Sequence, residues 1–174
     1  NALYFDIDTV CDISSDLPHT IPTKNQFEMN VNALGIKNNS NLIIYSMDGI
    51  GTSPRAWWLF KLFGHNKVSI LNGGMKAWLK TNGAVSKTKT QILKTNYIAN
   101  FNIDMSVKYN DVTTLYKDIN YQIVDARSEG RFSGKEEEPR PGLRKGHIPN
   151  SINIPFNEFI NEHGCLLDKN DIIK

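Results

Sequence analysis

Three short, mostly apolar runs constrain this chain most: 41–45 (NLIIY), 68–71 (VSIL) and 121–124 (YQIV). Each is too short for a stable helix, and apolar residues stand at adjacent positions. Such runs suit strands buried in a parallel sheet. Segments with helical spacing stand around them. Thr23 and Gln26 form a capping-box pattern ahead of Phe27, Val31 and Leu34, with Gly35 as a stop. Ser53 as N-cap and Pro54 in the first turn predict a helix through Ala56, Trp57, Leu59, Phe60 and Phe63, ended by Gly64. Gly73-Gly74 reads as a turn before a helix at Met75–Leu79 that closes near Gly83, and Tyr109–Asp118 reads as a helix with Val112, Leu115 and Tyr116 on one face. Strands alternating with helices predict an α/β layer fold with a parallel sheet flanked by helices. Trp57, Trp58 and Trp78 are expected in its core.

Between the first two strands and the third, residues 84–104 dissolve into Lys, Thr, Asn and Gln, the composition of an interdomain linker. This predicts one domain over 1–83 and a second over 105–174. In the second, Asp125 ends the strand, and a charged, proline-containing stretch follows from Arg127 to Gly146. Loops of that length are uncommon in compact domains unless they serve a function. The halves also share a weak repeat: Asn150-Ser151-Ile152-Asn153-Ile154 aligns with Asn1-Ala2-Leu3-Tyr4-Phe5, an offset of 149 positions. On this alignment the first copy lacks its beginning and the second its end.

A formal charge of +2, with lysines and arginines scattered among acids, gives no footprint for nucleic acid, and no apolar run approaches the length of a membrane helix. Cys11 and Cys165 are too few for a disulfide framework and lack the spacing or histidine partners of a zinc site. A reducing compartment is the default, the cytoplasm or, in a eukaryote, the mitochondrial matrix.

The segment DARSEGRFSGKEEEPRPGLRKGHIPNSINIPF, Asp125 to Phe156, resembles the start of the catalytic domain of two-domain rhodanese-type sulfurtransferases, the mercaptopyruvate enzymes most of all. FDID at Phe5–Asp8, SSDLPHTIP at Ser14–Pro22, SPRAWW at Ser53–Trp58 and GHNKVSILNGGMKAW at Gly64–Trp78 are similar to the non-catalytic first domain of the same proteins. The resemblance implies a rhodanese-like fold of two homologous domains, each incomplete here. It covers the later part of the first domain and the early part of the second. It also implies ping-pong sulfur transfer. A low-pKa cysteine takes sulfur from 3-mercaptopyruvate or thiosulfate, holds it as a persulfide, and passes it to cyanide or a thiol such as thioredoxin or a low-molecular-weight thiol. No metal or organic cofactor is implied.

Residue by residue, Arg131 and Arg140 match the arginines that grip the donor's carboxylate and keto oxygen, and arginine rather than an acid at 140 favours mercaptopyruvate over thiosulfate. The competing reading pairs both with Glu136, Glu137 and Glu138 on a solvated loop. Asp8 and His19 match an acid and a histidine that support catalysis by proton relay. His147, Asp125 and Arg127 are expected to be structural. The family's nucleophile opens a glycine-rich loop after the next strand of the second domain. Neither TVCDIS around Cys11 nor HGCLLD around Cys165 is such a loop, so the chain is expected to stop before its nucleophile and to be inactive alone. The rival readings are a thiosulfate enzyme and a non-catalytic binding module. Two half-domains leave sheet edges to be covered; the expectation is that the missing ends belong to separate chains, and the alternative is that the halves complete one another as a permuted domain, with the strands near Ile43 and Val124 in one sheet.

Overall fold

The computed structural model describes residues 2–173, and the chain divides into two compact units, Asn1–Ser106 and Val107–Lys174. The first carries α1 (Lys24–Ala33), β1 (Leu42–Ile44), α2 (Ser53–Leu62), β2 (Val68–Ile70) and α3 (Gly74–Lys80), then a 3-10 turn at Ile103–Met105. The second carries α4 (Tyr109–Leu115), β3 (Val124–Asp125), α5 (Glu129–Phe132), β4 (Ile152–Asn153), a 3-10 turn at Phe156–Phe159 and α6 (Lys169–Ile172). Elements alternate as the sequence predicts. β1 pairs in parallel with β2, Ile43 opposite Ser69, and β3 in parallel with β4, Val124 opposite Ile152. The two pairs are separate sheets, so the alternative in which the strands near Ile43 and Val124 share one sheet is not what forms. Pairing within each unit closes a shorter loop. At the aligned positions of the repeat, Ile152–Asn153 is a strand, whereas Leu3 and Tyr4 lie outside any strand.

α1 starts on the full capping box. Thr23 Oγ1 accepts from the Gln26 amide at 3.3 Å, and Gln26 Oε1 from the Thr23 amide at 2.7 Å. Its inner face brings Phe27 and Val31 against Leu59, Phe60, Leu62 and Phe63 of α2 and its C-terminal cap. Phe27 and Phe63 stack at 4.1 Å between centroids, and Phe60 meets Phe27 edge-on at 5.5 Å. Each such side chain fully buried stabilises by roughly 1.5–3 kcal/mol. Among the described residues every buried apolar side chain of this core belongs to the first unit; in the second, Pro155 is buried.

Two expectations are corrected here. Ser53 is not the cap of α2: Thr52 precedes the helix, with no side-chain cap bond, and Ser53 is its first residue. The tight turn over Gly49 and Gly51 pulls Ser53 inward, where its hydroxyl donates to Ser46 Oγ at 3.2 Å. Trp78 is not core. It is 42% exposed and donates from Nε1 to the Ala84 carbonyl at 3.0 Å. Trp57 and Trp58 do pack against the core.

Residues 84–104 have no helix or strand before the 3-10 turn, yet they are tied to the first unit. The Tyr97 amide donates to Asn32 Oδ1, the Ala99 amide to Glu28 Oε1 at 2.8 Å and the Asn100 amide to the Phe63 carbonyl at 3.0 Å. Thr95 Oγ1 donates to the Ile36 carbonyl at 2.6 Å. Tyr97 and Ala99 are each 2% exposed, so the segment is a strap across α1 and α2.

Candidate functional site

The sequence-derived residues fall into two groups, one in each unit. In the first, Asp8 and His19 are eleven positions apart on a segment with no helix or strand. Local polar bonds bring them together. The Asp12 amide donates to the Thr20 carbonyl at 3.3 Å and Thr20 Oγ1 to the Asp12 carbonyl at 3.4 Å, closing the loop between them. Asp12 is held below the usual carboxylate range by bonds from the Ser14 hydroxyl and amide. Buried Val10 anchors the near side, and Cys11 Sγ donates to the Asp8 carbonyl at 2.9 Å.

His19 Nδ1 then lies 3.3 Å from Asp8 Oδ1. That is within ion-pair reach but outside hydrogen-bond alignment, so this buried nitrogen has no hydrogen-bond partner among the described residues. Asp8 is well exposed, His19 about half as much. His19 has φ +57, in the left-handed region, and its carbonyl accepts from Nη2 of Arg55 on α2. Arg55 escapes a reading of the sequence. The usable signal is SPRAWW, where Arg55 precedes Trp58 by three positions, the spacing at which a guanidinium can stack on an indole of the same helix.

In the second unit the stretch Arg127–Gly146 folds around one buried carboxylate. Glu138, whose side chain is 6% exposed, accepts from Arg127 Nη1 at 2.7 Å through Oε1 and from Arg131 Nη2 at 2.6 Å through Oε2. Arg131 Nε adds a bond to Oε1 at 3.3 Å. Arg127 also grips Asp125: Nε lies 3.0 Å from Oδ1 and Nη2 2.6 Å from Oδ2, and Nη2 reaches the Gly146 carbonyl at 2.7 Å. One guanidinium thus ties the end of β3 to the far end of the loop. The hydrogen bond from Arg131 holds Glu138 below the usual carboxylate range, Arg127 likewise holds Asp125 down, and the Asp125 bond raises the Arg127 guanidinium.

Arg131 stands on α5, a single turn of helix inside what the sequence presents as loop, and its Nη1 is left uncommitted among the described residues. Arg140 is exposed with no hydrogen bond or ion pair among the described residues. The competing expectation therefore describes half of the geometry: Arg131 pairs with Glu138, while Arg140 pairs with none of the three glutamates. His147 is held structurally, its ring stacked on Phe132 at 3.8 Å and Nδ1 2.8 Å from the Phe132 carbonyl. Cys165 lies in the turn closed by the Ile160–Leu166 bridge. Chemically, the second unit offers cationic groups for a small anion, and the first a histidine beside a carboxylate.

The rhodanese-like domain model matches residues 9–81 and 109–173. The chain is 37% identical to 3-mercaptopyruvate sulfurtransferase of Escherichia coli (strain K12) over 92% of its own length and 57% of the relative's. It is 36% identical to thiosulfate sulfurtransferase of Rattus norvegicus over 94% of the chain and 56% of the relative. It superposes with TM-score 0.86 and 33% identity on the crystal structure of SseA from Escherichia coli, described as showing the rhodanese fold of 3-mercaptopyruvate sulfotransferases, covering 97% of this chain and 63% of that one. The chain spans a little over half the length of the curated relatives it matches. No helix among the described residues is long and apolar enough to cross a membrane. With both halves matched to one domain model and the fold shared across nearly its whole length, the chain belongs to the rhodanese family.

Proposed function

We propose that this chain serves sulfur transfer from 3-mercaptopyruvate, supplying donor-binding groups from its second unit and a proton-handling pair from its first. The observation that carries this reading is the Glu138 bridge. It pins Arg131 beside Arg127 and leaves Arg131 Nη1 uncommitted, with Arg140 unpaired on the same loop. Planar guanidinium groups suit a planar α-keto acid, whose carboxylate and keto oxygen both accept hydrogen bonds, each charge-assisted bond contributing about 1.5–3 kcal/mol. A cysteine thiolate attacks the donor's sulfur, the carbon–sulfur bond breaks, and its electron pair leaves on the pyruvate carbon, which takes up a proton. Asp8 and His19 suit the relay of that proton. The resulting persulfide passes its outer sulfur to cyanide or a thiol, thioredoxin or a low-molecular-weight thiol. A reducing compartment, the cytoplasm or the mitochondrial matrix, agrees with this chemistry.

We place the nucleophile outside Cys11 and Cys165. Cys11 donates its thiol hydrogen to a carbonyl, Cys165 sits in a turn, and neither opens a glycine-rich loop after a strand. The test is calorimetric titration of the chain with 3-mercaptopyruvate and with thiosulfate, followed by intact mass. Mercaptopyruvate is expected to bind more tightly than thiosulfate, Arg131→Ala and Arg140→Ala each to weaken it by about tenfold or more, and no sulfur to be added to the chain. Tighter thiosulfate binding would favour the thiosulfate enzyme. Binding indifferent to both arginines would favour a module of another kind, and persulfide on this polypeptide would refute the placement of the nucleophile.

A further inference from the structure

The Asp8–His19 pair depends on a conformation that histidine does not choose unaided. A left-handed φ of +57 at a residue with a Cβ costs about 1–2 kcal/mol and persists only where neighbours hold it. The side of the loop carrying Asp8 is held by the Cys11 thiol and by Val10. The His19 side is held by Arg55, from a different element: Nη2 donates to the His19 carbonyl oxygen. The donor is itself fixed. Its guanidinium carbon lies 4.9 Å from the Trp58 ring centroid, Trp58 packs against the core, and Arg55 Nε is buried without a hydrogen-bond partner among the described residues. Burial pushes the guanidinium down from its ordinary value, and Cys11 acts the other way. Arginine nevertheless keeps its charge at any working pH. Burying a cation with one nitrogen unpaired is costly in a molecule with free surface to offer it, and the recipient of its other bond is the backbone that aims His19.

We propose that Arg55 is a positioning residue: by holding the His19 carbonyl it maintains the left-handed turn that sets the imidazole against Asp8. The proposal rests on the sulfur-transfer reading only for the use made of the pair. The geometry stands without it. Lysine could supply the charge and a donor to the carbonyl but not the flat face that stacks on Trp58.

The test reads the pair directly, in the full chain, so failure of the sulfur-transfer reading does not affect it. Histidine-labelled protein is examined by NMR at about pH 8, where an ordinary histidine is neutral. In the otherwise native chain Asp8→Asn is expected to move the His19 ring-nitrogen signals. In the Arg55→Met background that response is expected to fall to less than about a third, and in Arg55→Lys to recover in part, the coupling expected of groups that share one arrangement. An undiminished response in Arg55→Met overturns the proposal, as does equal loss in Arg55→Lys, which would mark a general packing role. Should Arg55→Met fail to fold, the unsubstituted chain decides. Resolved, slowly exchanging Arg55 Nη protons with contacts to His19 support the proposal, and a freely rotating guanidinium overturns it.

Discussion

Tyr97 is buried to 2% exposure, stacked against the His65 ring at 5.8 Å, and its hydroxyl finds no hydrogen-bond partner among the described residues. Burial, helped by Glu28, pushes the phenol up to about 12. The folded state therefore favours the neutral form. Its contribution is complete below the unfolded value near 10 and is lost as pH rises towards 12, by about 1.4 kcal/mol per pH unit. Tyr97→Phe is expected to be neutral or to stabilise by up to about 1 kcal/mol at pH 7 and to remove this alkaline loss. Urea unfolding followed by tryptophan fluorescence at pH 7 and about pH 11 reads both; a variant that keeps the alkaline slope would show that another group causes it. At this scale the sequence marks Arg131, Arg140, Asp8 and His19 because their motifs are contiguous in the chain. It offers Glu138 only as one of three candidate partners and does not mark Arg55 or Tyr97, because each acts on a residue brought to it by folding. Trp78 is the converse: its size suggests core, but α3 turns its ring onto the backbone at Ala84.

Helices and strands follow from local signals, and the strap does not. The capping box before α1, Pro54 at the start of α2 and Gly64 after it are all chain-local, and the structure uses each one. Residues 84–104 have no periodicity because their anchors are backbone amides that reach Asn32, Glu28 and Phe63. Gly64 joins the two kinds of signal. It ends α2 at φ +82, and a Cβ placed there would stand 2.7 Å from the Asn100 carbonyl oxygen of the strap. Gly64→Ala is expected to cost about 2–3 kcal/mol, combining left-handed strain with displacement of the strap. Thermal unfolding measures the cost, and a loss near 1 kcal/mol would mean that the strap moves away freely.

Across the whole molecule, the two units are stabilised by different means. The first has an aromatic and aliphatic core; in the second, Asp125, Arg127, Arg131 and Glu138 form an ion-pair network at the end of β3. Both carboxyls are depressed below their ordinary values. Their contribution is therefore complete above the unfolded carboxylate range and is lost as pH falls through the lower folded values. As pH falls below the ordinary carboxylate range, about pH 4, amide exchange at Ile154 and Phe156 is expected to accelerate well ahead of exchange at Phe63 and Leu59. Simultaneous loss would show that the network does not stabilise the second unit. The sequence by itself determined the α/β alternation, the parallel strands, the family and the candidate donor-binding arginines, because these are written in contiguous motifs and local hydrophobic period. Only the tertiary structure decided that each strand pairs within its own unit, that the apparent linker is a strap, and that Arg55 and Glu138 hold the candidate residues. Those outcomes depend on which distant groups meet, which no local pattern encodes.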